Sequence, residues 1–195
     1  MVTVSADGRI FYTYHMLHKP ERFADATLFE WVDGKGVPFP NSDMQKQFHG
    51  AMGINVDQQG RLWITKPGQL EGKQTHLLAI DTSNGEMVVN HKFEKNEAGL
   101  AQDMRVTPDG KTVFLADTGL FTFTQANLIA FDIETQKSRT LLKGHESVSP
   151  QNWVMRKTNG KPYRLGMGLL TFVVGVDVLP SPKMWPVALL CDYVS

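Results

Sequence analysis

Three tight turns built around glycine recur along this chain, and they constrain its fold more than any other feature. The turn glycines are Gly8, Gly60 and Gly110, so that successive turns are 52 and 50 residues apart. Each turn lies between two short segments in which apolar and polar residues alternate, which is the pattern of a β-hairpin. A period of this length predicts a repeat protein in which each unit is one small antiparallel sheet.

Each hairpin is followed by another apolar segment that ends in aspartate, at Asp33, Asp81 and Asp132. Because aspartate recurs at equivalent turns, we predict a structural role for all three. A single sheet of this kind has two apolar faces that it cannot bury alone, so the units must stack. We therefore predict an all-β fold, a partial β-propeller with four-stranded antiparallel blades. A β-sandwich or another strand-rich domain are the alternatives.

The repeat also predicts the domain organisation. Propellers close with about four to eight blades, whereas this chain of 195 residues has room for fewer than four units. The first unit begins inside a hairpin, without a preceding strand to complete it. We expect an incomplete propeller over residues 1–177, with units around 1–50, 51–100 and 101–165, the start of another at 166–177, and an aberrant tail over 178–195.

Composition excludes several classes of protein. The 20 basic and 20 acidic residues balance, so nothing favours nucleic acid or an anionic membrane as a partner. No apolar segment approaches the roughly 18 residues of a membrane span. The single cysteine, Cys191, permits no internal disulfide.

The central hairpin, residues 100–118, carries the candidate chemistry. Asp103 is expected just before its first strand and Asp117 just after its second, so both carboxylates should lie near one end of the sheet. For Asp117 a turn-stabilising role is the preferred interpretation, whereas for Asp103 a structural and a functional role both stay open. His49, on the long connection predicted over residues 34–53, is the histidine that could exchange protons together with Asp103. The sequence contains no G-x-S-x-G, P-loop or dinucleotide-binding motif.

Six segments of the chain, in this order, resemble the major royal jelly protein/yellow family: SADGRIFYTY, TLFEWVDGKGVPFP, GINVDQQGRLWITKPG, THLLAIDTSNGEMVVNHKF, QDMRVTPDGKTVFLADTG and ANLIAFDIETQKSRTLL. The similarity is greatest to its bacterial members, which are described as dopachrome-tautomerase-related. The resemblance implies about half of a six-bladed propeller from a secreted or periplasmic protein. It also implies small-molecule binding, with dopachrome tautomerase-like isomerase activity in a full-length protein.

The resemblance implies a set of site residues as well. Asp103 and His49 are the expected catalytic residues, and a small molecule is the expected partner. The expected ligand-binding residues are Gln102, Arg105, Asp117, Lys66 and Asp177. Lys66 stands where family members often carry aspartate, and this reversal of charge favours the alternative of a non-catalytic recognition protein.

Related gluconolactonase-type propellers suggest a metal-dependent hydrolase as a further alternative. Their divalent metal is held by four side chains at blade starts, of which only the positions of Asp103 and Asp177 carry a carboxylate here. The third position falls at Met52 or Gly53, which have no ligating side chain, and the fourth would precede Met1. Oxygen ligands of this kind suit Ca²⁺, but two of four do not make a site, so we expect no metal and no cofactor.

The segment after Asp177 departs from the family pattern, which continues with a further hairpin. One restored base after the Asp177 codon, with suitable synonymous codons, recovers the family-like sequence Gly-Ile-Ala-Leu-Ser. We therefore predict a frameshift there, with residues 178–195 as an out-of-frame peptide. Under this hypothesis the chain could also be an inert truncated product with exposed sheet faces and edges.

Overall fold

Three four-stranded antiparallel sheets make up the fold in a computed structural model, which describes residues 1–14, 22–68, 74–94, 97–118, 126–148 and 159. The first sheet contains β1 (Val2–Val4), β2 (Ile10–Thr13), β3 (Leu28–Val32) and β4 (Lys35–Pro38). The second contains β5 (Ile54–Val56), β6 (Arg61–Lys66), β7 (His76–Asp81) and β8 (Met87–Lys92). The third contains β9 (Ala101–Val106), β10 (Thr112–Asp117), β11 (Asn127–Asp132) and β12 (Lys137–Thr140).

Every sheet is a meander in which each strand pairs with the next one along the chain. The prediction of an all-β fold with four-stranded antiparallel sheets is thus confirmed. The expectation that the first unit lacks a strand is wrong. Its sheet has four strands, because residues 35–38, which lie in the connection predicted over residues 34–53, form β4. This strand was missed because Gly36 and Pro38 are poor strand formers, but both are tolerated at the sheet edge where β4 lies.

The sheets contact one another in chain order, with β1 against β5 and β5 against β9. Two apolar clusters fill the spaces between them. The first cluster, between the first and second sheets, includes Phe11, Leu28, Leu62 and Ile80. The second, between the second and third sheets, includes Trp63, Leu77, Met104 and Phe131. The second sheet is therefore covered on both faces, as the repeat predicted for a stacked unit.

Arginines that follow the turn glycines connect neighbouring sheets. Arg9 forms a two-point ion pair with Glu30, and its Nη1 donates to the Thr82 carbonyl of the second sheet at 2.6 Å. Arg61 is held by Asp57, and its Nη2 donates to the Gly110 carbonyl of the third sheet at 2.8 Å. The same turn position thus links each of these sheets to the next one.

The turns explain the glycines and aspartates of the repeat. Gly8, Gly60 and Gly110 have φ values of 86°, 76° and 69°, in the left-handed region that glycine adopts without a steric penalty. The turn role predicted for Asp81 and Asp132 is confirmed, since each carboxylate accepts a backbone N–H and a hydroxyl two or three residues later. Asp33 itself has a φ of 49° and precedes Gly34 at 79°, as a two-residue hairpin turn requires.

The described residues include only short helical turns, a 3₁₀ helix at Gln45–Phe48 and another at Glu146–Val148. None of the helices in these ranges is long and apolar enough to cross a membrane. The predicted fourth unit at 166–177, with Asp177, and the predicted out-of-frame tail at 178–195 lie outside the described residues.

Candidate functional site

The candidate site lies where β5 and β9 begin. Asp103 and Asp117 were expected to flank the hairpin strands, but the structure places both inside them, Asp103 in β9 and Asp117 at the last position of β10. The two strands stay paired beyond a β-bulge, which makes them longer than predicted. Ala116 pairs with Asp103 whereas Asp117 pairs with Ala101, so Gln102 is the additional residue on β9. Bulges of this kind redirect side chains and are common next to functional sites.

Asp103 lies in a mostly buried environment that favours the neutral form of its carboxyl group. Its side chain retains 15% of its accessible surface. Its Oδ1 accepts the Met104 N–H at 2.8 Å and lies 3.7 Å from Arg105 Nη1. Burial raises the pKa of Asp103, and the Met104 N–H and the Arg105 charge only partly oppose this. Its second oxygen accepts no hydrogen bond from the described part of the chain, so it could interact with a ligand.

Gly53 permits the close approach of β5 to β9 at this site. A Cβ at Gly53 would lie 2.7 Å from the Gln102 carbonyl oxygen and 3.0 Å from the Asp103 Cα. Thr65 also holds Gly53 in place, because its buried Oγ1 accepts the Gly53 N–H at 2.9 Å and would itself lie 2.9 Å from that Cβ. Sequence reasoning missed both roles. Gly53 is not a turn glycine, and its need for space is visible only once the two strands are placed side by side.

Asp117 lies next to the site but is turned away from it. It is 3% exposed, and its two oxygens accept the N–H groups of Gly99 and Leu100 at 2.8 and 2.7 Å. The side-chain amide of Asn127 donates a further hydrogen bond at 3.0 Å. These contacts hold the chain as it enters β9, which agrees with the structural interpretation of Asp117.

The other predicted residues are dispersed. Arg105 follows Asp103 on the same side of β9; its side chain is 43% exposed and donates to the Met104 carbonyl at 2.8 Å. Lys66 ends β6, and its Nζ donates to the Gln47 carbonyl at 3.1 Å. His49 follows the 3₁₀ helix as an exposed residue, and no hydrogen bond or ion pair joins it to Asp103. The structure therefore brings together Gln102, Asp103 and Arg105, while Lys66 contacts the connection between the first two sheets, in which His49 lies.

The described residues do not fit a metal site of the gluconolactonase type, and Asp177 lies outside them. The position on β5 that corresponds to Asp103 on β9 is Gly53, since Ile54 and Met104 are the next paired residues of their strands. Within the described ranges, no three His, Cys, Asp or Glu side chains come close enough to hold a metal ion. The chemistry that this arrangement supports is proton exchange at the Asp103 carboxyl group rather than metal binding.

Comparison with known proteins adds no family assignment: no protein-family model matches this chain, and no curated protein matches it.

Proposed function

We propose that this chain is part of a β-propeller that binds a small molecule where β5 and β9 begin, with Asp103 as its proton-exchanging group. The architecture is supported by the stacking of three meanders in chain order and by the contacts of their first strands. In a propeller the first strands would surround the central channel, and Asp103 would then face it.

The observation that carries the functional proposal is the environment of Asp103. A carboxyl group with a raised pKa and one unused oxygen is suited to take a proton from a ligand and return it elsewhere. Such a transfer isomerises the ligand without any net change in its atoms. The resemblance to the yellow family suggests an oxidised catechol as the ligand and a dopachrome tautomerase-like isomerisation as the reaction.

The test compares the 195-residue chain with its Asp103→Asn variant. We expect the rate of dopachrome isomerisation to fall by about 10²-fold or more, because the amide cannot exchange the proton. The variant should also have a higher Tm at neutral pH. A carboxyl with a raised folded pKa loses stability as the pH rises from its unfolded value of about 3.8 through the folded value, and asparagine removes this cost.

Asp109→Asn is the matched control, since Asp109 is an exposed carboxylate in the turn at the other end of β9. It should leave the isomerisation rate unchanged. If Asp103→Asn lowers the Tm and leaves the rate unchanged, Asp103 is a structural residue and the proposed function is wrong.

A non-catalytic binding protein is the second candidate, and the position of His49 favours it. Isomerisation by two residues would need a histidine near Asp103, but no contact links His49 to Asp103. Calorimetric titration with a stable catechol separates the two candidates. Binding that depends on Arg105 but occurs without turnover would identify a recognition protein.

A further inference from the structure

Three basic residues lie side by side across the second sheet, at the end where β6 finishes and β7 begins. Lys66 of β6 pairs with His76 of β7, and His76 pairs in turn with Lys92 of β8. Residues that pair directly in antiparallel strands project from the same face of a sheet, with their Cβ atoms about 5 Å apart. The three side chains therefore form one basic row on one face of the second sheet.

The basic row lies at the margin of the interface between the first and second sheets. Ile64 and Leu78, two residues further into the same strands and on the same face, are 0% and 2% exposed in the apolar cluster between these sheets. Lys66 and His76 are partly buried, and Lys92 is exposed. This face is thus apolar where it is covered and basic where it meets solvent.

The positive charges of the basic row act on one another. Burial lowers the pKa of His76, and the charges of the two flanking lysines lower it further. The carboxylates of Glu97 and Glu94 act instead on His91, which projects from the opposite face of β8. Like charges that face each other across strands destabilise a sheet. An anion bound between these side chains would remove that cost.

The connection before β5 lies against one end of the basic row. Lys66 Nζ donates to the Gln47 carbonyl at 3.1 Å. Gln47 is flanked by two exposed basic residues, Lys46 and His49, and the same connection carries one exposed carboxylate, Asp43. The segment that borders the row therefore adds to its positive potential.

We propose that the basic row binds the phosphate group of a small soluble ligand, at a site separate from Asp103. Lysine binds phosphate as a point charge, and charge-assisted hydrogen bonds to phosphate oxygens are among the strong ones in proteins. Three cationic groups on neighbouring strands suit a doubly charged group with several acceptor oxygens better than they suit a single carboxylate. The site goes beyond the proposed isomerisation and does not depend on it.

Calorimetric titration of the 195-residue chain with inorganic phosphate and with pyrophosphate, at low ionic strength, tests the proposal. We expect saturable binding that chloride at the same ionic strength does not reproduce. Lys92→Gln and Lys66→Gln should each raise the dissociation constant about tenfold, while circular dichroism verifies that both variants remain folded. Phosphate should also raise the pKa of His76, which NMR titration follows at the ring protons that His76→Gln removes.

Lys137→Gln is the matched control, because Lys137 is also an exposed strand lysine but pairs across the strands with Asp132, a carboxylate. It should leave the dissociation constant unchanged, and so should Asp103→Asn. A chain that binds neither phosphate nor pyrophosphate would overturn the proposal. So would binding that Lys137→Gln or Asp103→Asn weakens as much as Lys92→Gln does, a pKa of His76 that phosphate leaves unchanged, or binding that occurs only to vesicles of phosphatidylserine.

Discussion

The two ends of the three sheets differ in how the chain reverses direction. At one end, the tight-turn end, β1, β5 and β9 finish in the turns of Gly8, Gly60 and Gly110, and the chain returns within a few residues. At the other end, the connection end, longer segments such as residues 39–53 join one strand to the next. Local sequence therefore determines the chain reversals at the tight-turn end, whereas contacts between residues that are distant in the chain determine the structure of the connection end.

At the tight-turn end, the side chains that shape each turn form their hydrogen bonds within that turn. Ser5, Asp57 and Thr107 directly follow the first strand of each sheet, and each side-chain oxygen accepts an N–H four or five residues later. The three turns thus use different side chains for the same hydrogen bond. The turns could nevertheless be recognised in the sequence, because each keeps its glycine between two segments of alternating apolar and polar residues.

At the connection end the buried polar contacts span long distances along the chain. Gln45 is 6% exposed; its Oε1 accepts the Thr27 and Leu28 N–H groups, and its Nε2 donates to the Phe39 and Asn41 carbonyls. Asp117 similarly holds residues 17 and 18 positions away in the chain. No short sequence motif identifies such residues, because their hydrogen-bond partners become adjacent only after folding.

The largest predicted effect is at the tight-turn end. Asp57→Ala should lower the free energy of unfolding by about 3 kcal/mol, because it leaves the Arg61 charge and the buried Trp63 indole N–H without their acceptor. Urea denaturation measures this change. Asp109→Ala removes an exposed turn carboxylate and should cost less than about 1 kcal/mol. Equal losses in the two variants would contradict the distinction between buried and exposed turn residues.

Two glycine substitutions compare the ends directly. Gly53→Ala should cost about 2 kcal/mol, because the new methyl group would push β5 away from the backbone of β9. Gly60→Ala should cost about 1 kcal/mol, since a Cβ there is strained by its φ of 76° but meets no atom closer than 3.5 Å. Thermal unfolding of both variants gives the costs. Because only Gly53 adjoins Asp103, only Gly53→Ala should weaken ligand binding.

The smallest predicted effect is a pH dependence at the connection end. His91 packs against Phe93 and Phe131, its Nε2 is buried without a hydrogen bond within the described structure, and burial lowers its pKa despite Glu97 and Glu94. A lowered folded pKa means that the unfolded chain binds more protons, so stability should fall as the pH decreases through about 6.5.

His91→Phe should reduce this acid sensitivity when the Tm is measured between about pH 7.5 and pH 5. Some sensitivity should persist from His76, whose pKa is lowered by burial and by Lys66 and Lys92. An unchanged Tm profile in His91→Phe would show that the buried imidazole does not contribute.

The sequence was sufficient to predict the repeated hairpins and the strands around them, because the alternation of apolar and polar residues and the turn glycines are local properties. It was insufficient for β4, whose Pro38 resembles a loop residue until the strand is seen to lie at a sheet edge. At the site, Asp103 could be selected from its place in the central hairpin. Its bulge and the contact with Gly53 could not be predicted, since they depend on how β5 and β9 approach each other in space.

The arginine links have a consequence for how the protein unfolds. Arg9 and Arg61 each reach only the adjacent sheet, so cooperativity passes from one unit to its nearest neighbour, as in other repeat proteins. Among the three described units, the middle one is coupled on both sides and each of the others on one, so amide hydrogens of β6 and β7 should exchange most slowly. Local opening would begin in the outer units, and the middle sheet would then be the last part of the repeat to lose its structure.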